Sequence, residues 1–275
     1  MSDIPEIKLV CSEVWGGNQN VHASVALPGM NGVVHSVSAN GARGGDICYL
    51  SACMGGMISR VCVADVVGHG ESVSQVSDWM HQVVRRRMNE HNPALVFDAI
   101  NAVAYEKGFE ALTTAVCLSY ESTDALMRFC YAGHPLVFHF DTSRRSWNPL
   151  SIPRQPGSEP ANLPFGVAKK PRYDVGEQRV SAGDRFVVVT DGVLETPDAA
   201  RQLFGDERLR AVLEENADTD QRQFTEAVFD ALHRHAGDTS LIHDDVSLVV
   251  LDVGPRVRGP KLYHFVKNNF RKRFA

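Results

Sequence analysis

Hydrophobic and polar positions alternate over residues 7–40, which predicts short strands joined by turns. The following segment, 44–70, is GGDICYLSACMGGMISRVCVADVVGHG, with an apolar run on each side of a central glycine pair. Glycine pairs are typical of tight hairpin turns, so two antiparallel strands are predicted here. A turn centred on Gly55 and Gly56 places residue 46 opposite residue 65. The hairpin therefore brings Asp46 and Asp65 together at its open end.

The spacing of apolar residues changes after this hairpin. From Val73 to Met88 they recur every three or four positions, which predicts an amphipathic helix. A second helix is predicted to follow, with Asn92 as its N-cap and Pro93 at its first position.

The second half of the chain predicts more strands, then helices, then one strand. The expected segments are strands at 112–120, 126–140, 184–193 and 245–253, helices at 199–216 and 221–237, and a long loop at 141–177. This order favours an α+β fold with segregated layers over an alternating α/β sheet. We expect one domain over residues 1–253 and a separate tail over 254–275.

Composition narrows the class of protein. The 275 residues are 44% hydrophobic and 22% charged, as expected for a globular domain with a large core. The first ten residues lack the pattern of a signal peptide, and no apolar run reaches the roughly 18 residues of a membrane span. The six cysteines form no CxxC pair, so reduced core thiols and a cytoplasmic location are expected.

The charge is distributed unevenly along the chain. Residues 254–275 contain seven Lys and Arg and no acid, whereas the first 253 residues contain 21 basic and 33 acidic residues. Apolar residues interleave with the basic ones in the tail, which favours contact with an anionic membrane surface or a partner protein, or packing on the acidic body. A nucleic-acid partner is not expected, because a short basic tail supports only salt-sensitive, non-specific binding.

Carboxylates stand where apolar strands meet turns. They are Asp46, Asp65, Asp191 and the adjacent pair Asp244 and Asp245. One such residue is usually a turn or cap residue, but clustered carboxylates repel one another and require cations. Oxygen-only ligands select Mg²⁺ or Mn²⁺, and two such ions activate a water for attack on phosphorus. We expect Asp65 to bridge both ions and the carbonyl of Val66 to be a further ligand.

The ordered motifs GGD, ADVVGHG, TTAV, AGHPL, LPFGV, TDGVLE and DDVSLVVL resemble the catalytic domain of PPM-type metal-dependent serine/threonine protein phosphatases, over about residues 40–253. The resemblance is to the bacterial SpoIIE/RsbU branch. It implies an α-β-β-α sandwich of two antiparallel sheets with a two-metal site at one edge. By motif, Asp46, Asp65, Asp191 and Asp244 correspond to metal ligands, and Asp245 supports them.

The resemblance also implies an activity and a partner. The family hydrolyses phosphoserine or phosphothreonine on proteins with Mn²⁺ or Mg²⁺. The RsbU-like branch typically acts on phosphorylated anti-sigma-factor antagonists, which are small STAS-domain proteins. Such a protein is the expected substrate.

Two further site residues have alternative interpretations. His69 is a candidate general acid, but eukaryotic-type members have histidine directly after the Asp-Gly pair, so a structural turn residue is the alternative. Arg43 is a candidate phosphate ligand, or else a solvated loop residue.

Two other functions compete with the phosphatase hypothesis. A non-catalytic phosphatase-fold module that binds a phosphoprotein would be favoured by loss of the metal carboxylates, and all are present. A nucleotide-cyclase hairpin is disfavoured, because Ile47 and Cys48 replace the acidic-aromatic pair that such hairpins use after GGD.

Overall fold

The computed structural model describes residues 4–39, 41, 43–68, 71–153, 160–237 and 243–255. The candidate general acid His69 and most of the basic tail lie outside these residues. The boundary between domain and tail therefore stays a prediction.

Thirteen strands of the described residues form two sheets. The strands are β1 Glu6–Lys8, β2 Glu13–Gln19, β3 Val21–Leu27, β4 Met30–Val37, β5 Arg43–Cys53, β6 Ile58–Val66, β7 Thr113–Glu121, β8 Leu126–Ala132, β9 Phe138–Asp141, β10 Ser146–Pro149, β11 Val175–Arg179, β12 Arg185–Val189 and β13 Val246–Val253. One sheet has the order β1-β3-β4-β13-β12-β9-β10 and the other β11-β8-β7-β6-β5-β2. All pairs are antiparallel except β1 with β3.

Helices cover the outer faces of both sheets. They are α1 Glu71–Arg86, α2 Pro93–Lys107, α3 Asp191–Leu194, α4 Gly205–Glu215 and α5 Gln221–Ala236. One apolar cluster fills the space between the sheets, a second lies between the six-stranded sheet and α1 and α2, and a third lies between the seven-stranded sheet and α4 and α5. This arrangement confirms the predicted α+β fold, a four-layer α-β-β-α sandwich.

Local predictions in the first half of the chain are confirmed. The β5–β6 hairpin turns at the predicted glycine pair, and α2 begins at Pro93 with the side chain of Asn92 accepting a hydrogen bond from the backbone N–H of Ala94 at 2.9 Å. All six cysteines are buried and free of disulfides. No helix among the described residues is both long and apolar enough to cross a bilayer.

The second half departs from the predicted segments at three places. The apolar run 126–140 is two strands, β8 and β9, because the chain leaves one sheet at Gly133, with φ at +71°, and enters the other sheet at Phe138. The predicted loop 141–177 contains β10 and part of β11. The first six residues of the predicted helix 199–216 are not helical, and α4 begins at Gly205.

Candidate metal centre

Asp46 and Asp65 meet across the β5–β6 pair. The two are directly opposed register partners, as the hairpin arithmetic predicts. Asp46 is only 4% exposed. Burial, and then the nearby charge of Asp65, raise the pKa of Asp46 well above its usual value. The hairpin therefore places two mutually repelling carboxylates at the end of a buried sheet.

Thr190 and Asp191 bring the second sheet to the same place. Thr190 follows β12, and its hydroxyl donates a 2.7 Å hydrogen bond to Oδ2 of Asp46. The same hydroxyl accepts one from the backbone N–H of Ser247 at 3.0 Å. Asp191 is the first residue of α3. Thr190 thus joins β5, β12 and β13 at the edge where the carboxylates lie.

Asp245 accepts hydrogen bonds from the backbone at the start of β5 and just before it. Its Oδ1 accepts a 2.7 Å hydrogen bond from the backbone N–H of Ala39, and its Oδ2 accepts one from that of Gly45. A Cβ on Gly44 would stand 2.3 Å from Asp245 Oδ2, so this close approach requires glycine. Backbone donors thus reach both carboxylate oxygens of Asp245, and its role of supporting the metal ligands stays a prediction.

The carboxylates also affect one another electrostatically. Burial and the charges of Asp191, Asp244 and Asp245 raise the pKa of Asp65 to about 7. Burial and the charge of Asp244 raise the pKa of Asp191 as well. No ion pair within the described part of the chain joins any of these carboxylates to Lys or Arg. The cluster therefore combines the buried acids Asp46 and Asp245, the half-buried Asp65 and Asp191 and the exposed Asp244, without an ion-pair partner among the described Lys and Arg residues.

The oxygens around Gly45 form a close-packed cradle. A Cβ at Gly45 would meet the carbonyl oxygen of Val66 at 2.8 Å, and Oδ1 of Asp65 and the carbonyl oxygen of Gly68 at 3.3 Å. An oxygen-only donor set of this kind fits Mg²⁺ or Mn²⁺. No three His, Cys, Asp or Glu side chains of the described residues already converge as a ready-made metal-binding group. The match between this cluster and Mg²⁺ or Mn²⁺ therefore rests on its oxygen donors and on its negative charge, which no described ion pair balances.

Arg43 does not reach into this cluster by any described contact. It is exposed at the start of β5, and its guanidinium is 3.4 Å from the hydroxyl of Ser74 on α1. Its role as a phosphate ligand stays a prediction.

Sequence reasoning did not single out Thr190 or Glu195. The charge of Glu195 contributes to the raised pKa values of Asp65 and Asp191. Both residues stand within the motif TDGVLE, and Glu195 follows Asp191 by four residues, the spacing of one helical turn. This spacing is the sequence feature that could have placed Glu195 beside Asp191.

A cavity of about 470 Å³ adjoins the cluster, and Asp191, Glu195 and His134 are among its lining residues. His134 is buried, and burial lowers its pKa to about 4. Its Nδ1 donates to the carbonyl oxygen of Pro135 at 3.0 Å. This hydrogen bond lies in the segment that connects β8 to β9.

Comparisons with known proteins agree with this architecture. No curated protein sequence matches the chain. Among solved structures, RsbX in complex with magnesium is 17% identical with a TM-score of 0.59, covering 88% of this chain and 100% of that one. The RsbU and RsbW domains of a Mycobacterium tuberculosis protein are 20% identical with a TM-score of 0.67, covering 94% of this chain and 71% of that one. The PP2C phosphatase domain of SpoIIE from Bacillus subtilis, with a regulatory fragment, is 16% identical with a TM-score of 0.66, covering 90% and 64%.

These structures share the fold of PP2C phosphatases with this chain. The family model described as Stage II sporulation protein E (SpoIIE) matches residues 58–254, which is more than half of the chain. The matched range begins at β6 and includes Asp65, Asp191, Asp244 and Asp245. The chain therefore belongs to the SpoIIE family of PPM-type phosphatases.

Proposed function

We propose that this protein is a serine/threonine protein phosphatase that depends on Mn²⁺ or Mg²⁺. One observation carries the proposal: carboxylates from β5, β6, the start of α3 and the segment before β13 meet at one end of the stacked sheets without a described Lys or Arg partner. When bound, two divalent ions would balance this charge and supply an activated water for attack on a phosphate ester.

The roles of the residues follow from their surroundings. Asp65 interacts electrostatically with the most cluster members and is the proposed bridging ligand. Asp46, Asp191, Asp244 and the carbonyl of Val66 are the other proposed ligands. Thr190 orients the carboxylate of Asp46 through its hydrogen bond. A carboxylate held by a fixed donor loses less side-chain entropy when it binds a cation.

The proposed substrate is a phosphorylated regulatory protein in the cytoplasm, of the STAS-domain anti-sigma-factor antagonist class. Family membership supports this class, as does the structural likeness to RsbX and to RsbU domains. A non-catalytic phosphoprotein-binding module is the alternative. It is disfavoured because the chain has all of the predicted metal carboxylates.

The test is phosphate release from an aryl phosphate and from a phosphoserine protein, with and without added Mn²⁺. Asp65→Asn and Asp191→Asn should each lower kcat/KM by at least about 100-fold, since each removes a ligand that positions the ions. Asp230→Asn, on the exposed side of α5, is the matched control and should retain activity. Equal activity in EDTA, or in both site variants, would refute the proposal.

A further inference from the structure

The cavity beside Asp191 extends well beyond the carboxylate cluster. Its walls come from the segment 133–138, from α3 and from α4. Its volume of about 470 Å³ lies within the range of about 300–1,000 Å³ found for pockets that enclose drug-sized ligands. Part of its wall is apolar, and Leu136 is 45% exposed there. The cavity therefore has room for several side chains of a polypeptide.

Among the described residues that line this cavity, Arg210 is the only Lys or Arg. Its guanidinium lies 4.8 Å from the centroid of the Phe138 ring, which is 2% exposed. Within the described residues it forms no ion pair. The half-buried guanidinium thus makes a cation–π contact with Phe138, and its N–H groups can donate hydrogen bonds to a ligand.

Two carboxylates besides Asp191, those of Glu195 and Asp206, also line the cavity. Both residues are exposed, whereas Arg210 is half-buried. Solvent and salt screen exposed charges more strongly than partly buried ones. Glu195 and Asp206 therefore oppose the approach of an anionic side chain to Arg210 less than their number suggests, and the charge of Asp191 would be offset by a metal ion at the proposed centre.

Strand geometry separates Arg210 from the metal centre. Phe138 pairs with Val187 across β9 and β12, and Asp191 follows Val187 by four residues. At about 3.3 Å per residue, the backbone of Val187 lies about 13 Å along the strand direction from that of Asp191. The Arg210 guanidinium, which lies over the Phe138 ring, is therefore set back from the strand ends where the carboxylates lie. This spacing leaves room at Arg210 for a substrate side chain other than the phosphorylated one.

We propose that this cavity, named here the Arg210 cleft, binds the segment that flanks the phosphorylated residue of a protein substrate. Arg210 contacts an Asp or Glu of that segment, and Leu136 contacts an apolar side chain. Arg210 is then a specificity-determining residue. The proposal rests on the proposed phosphatase function.

The test uses two phosphoserine peptides that are identical except for the residues two to four positions on either side of phosphoserine, which are Glu in one and Lys in the other. With Mn²⁺, the wild-type protein should hydrolyse the Glu peptide with a kcat/KM at least about threefold higher, as for a partly exposed ion pair. Arg210→Gln should bring the ratio near one, and Arg210→Glu should reverse it. Because the readout is a ratio, it cancels any general loss of folded protein.

Arg234→Glu is the matched control. It makes the same charge change on the exposed face of α5, away from the cavity lining, and should keep the wild-type ratio. A wild-type ratio near one, or an unchanged ratio in Arg210→Glu, overturns the proposal. So does an equal change of ratio in Arg234→Glu, which would indicate a general charge effect.

A binding measurement separates this proposal from the phosphatase function. Fluorescence anisotropy of the same labelled peptides with the Asp65→Asn variant requires no turnover. A preference for the Glu peptide that Arg210→Glu reverses supports the Arg210 cleft even if no phosphate is released in any assay. Mn²⁺-dependent phosphate release without that preference supports the phosphatase function and rejects the cleft.

Discussion

Asp46 lies directly opposite Asp65 across the antiparallel pair β5–β6. Like charges in directly opposed positions destabilise a sheet, and burial makes the repulsion stronger. Burial and the nearby carboxylates raise the pKa values of both residues, which means that the fold disfavours their charged forms. Two divalent ions at the proposed metal centre would offset this repulsion at the open end of the hairpin.

The first prediction concerns pH. The pKa of Asp65 rises from 3.8 to about 7 in the folded protein, so the fold disfavours its charged form. Asp65 therefore lowers the free energy of unfolding as pH rises from about 4 to about 7. In EDTA, the stability of Asp65→Asn relative to wild type should increase across this window, as measured by urea unfolding. His35 and His134, whose pKa values are lowered, titrate in both proteins and cancel. A pH-independent difference would contradict this prediction.

The second concerns metal. Mn²⁺ bound at the proposed metal centre should raise the thermal midpoint of the folded protein, with a gain of about 2.7 kcal/mol at a concentration 100 times Kd. Differential scanning calorimetry should show the rise in wild type and in Asp230→Asn, and little of it in Asp191→Asn. A similar rise in all three proteins would place the bound metal elsewhere.

The third concerns Thr190, which is fully buried. Thr190→Val keeps the shape but leaves Oδ2 of Asp46 and the backbone N–H of Ser247 without this partner. We expect a loss of about 1–3 kcal/mol in unfolding free energy and a weaker affinity for Mn²⁺, measured by titration calorimetry. Thr190→Ser retains the hydroxyl and should restore most of both. Failure of serine to restore them would indicate that packing of the methyl group is what matters.

The fourth concerns Gly192 in α3. A Cβ there would stand 1.9 Å from the carbonyl oxygen of Asp245, so Gly192→Ala forces α3 away from the segment that carries Asp244 and Asp245. Both stability and metal-dependent activity should fall. Gly254→Ala is the control, because its nearest neighbour is at 3.4 Å. Equal effects of the two substitutions, in thermal melts and phosphate release, would argue against this close approach.

The fifth concerns Arg60, whose side chain is completely buried. Its guanidinium donates to the hydroxyl of Ser119 at 3.1 Å and to the carbonyl oxygens of Arg87, at 3.1 Å, and Glu90, just beyond the end of α1. Arg60→Met removes these donors and should lower the free energy of unfolding by at least about 2 kcal/mol in urea. Arg86→Met, at an exposed position of α1, should change it little. A small effect at Arg60 would mean that water replaces its contacts.

Local patterns predicted the first half of the chain well. The turn at Gly55 and Gly56 and the cap at Asn92 depend on residues close in sequence, so their geometry can be inferred from the residue types alone. The run 126–140 was harder because an apolar stretch does not reveal which sheet each part joins. Gly133 and residues 134–137 carry the chain from the six-stranded sheet to the seven-stranded one.

The candidate metal centre likewise combines features that local sequence predicts with contacts that only tertiary packing creates. Motif order predicted the acidic residues, and the hairpin register placed Asp46 opposite Asp65. The hydrogen bond from Thr190 to Asp46, and the contact of Arg210 with Phe138, join residues 144 and 72 positions apart in the chain. No local pattern encodes such contacts, because they exist only once the two sheets and α4 have packed.

The sequence by itself determined the pairing within the hairpin, the helix start at Pro93 and the set of acidic residues at strand ends, since each depends on neighbours along the chain. Only the tertiary structure decided that Thr190 donates to Asp46, that Asp245 accepts hydrogen bonds from Ala39 and Gly45, and that a cavity lined by Arg210 opens beside the acidic residues. The physical reason is that burial of apolar faces between layers brings distant segments together, and that packing is a property of the whole chain.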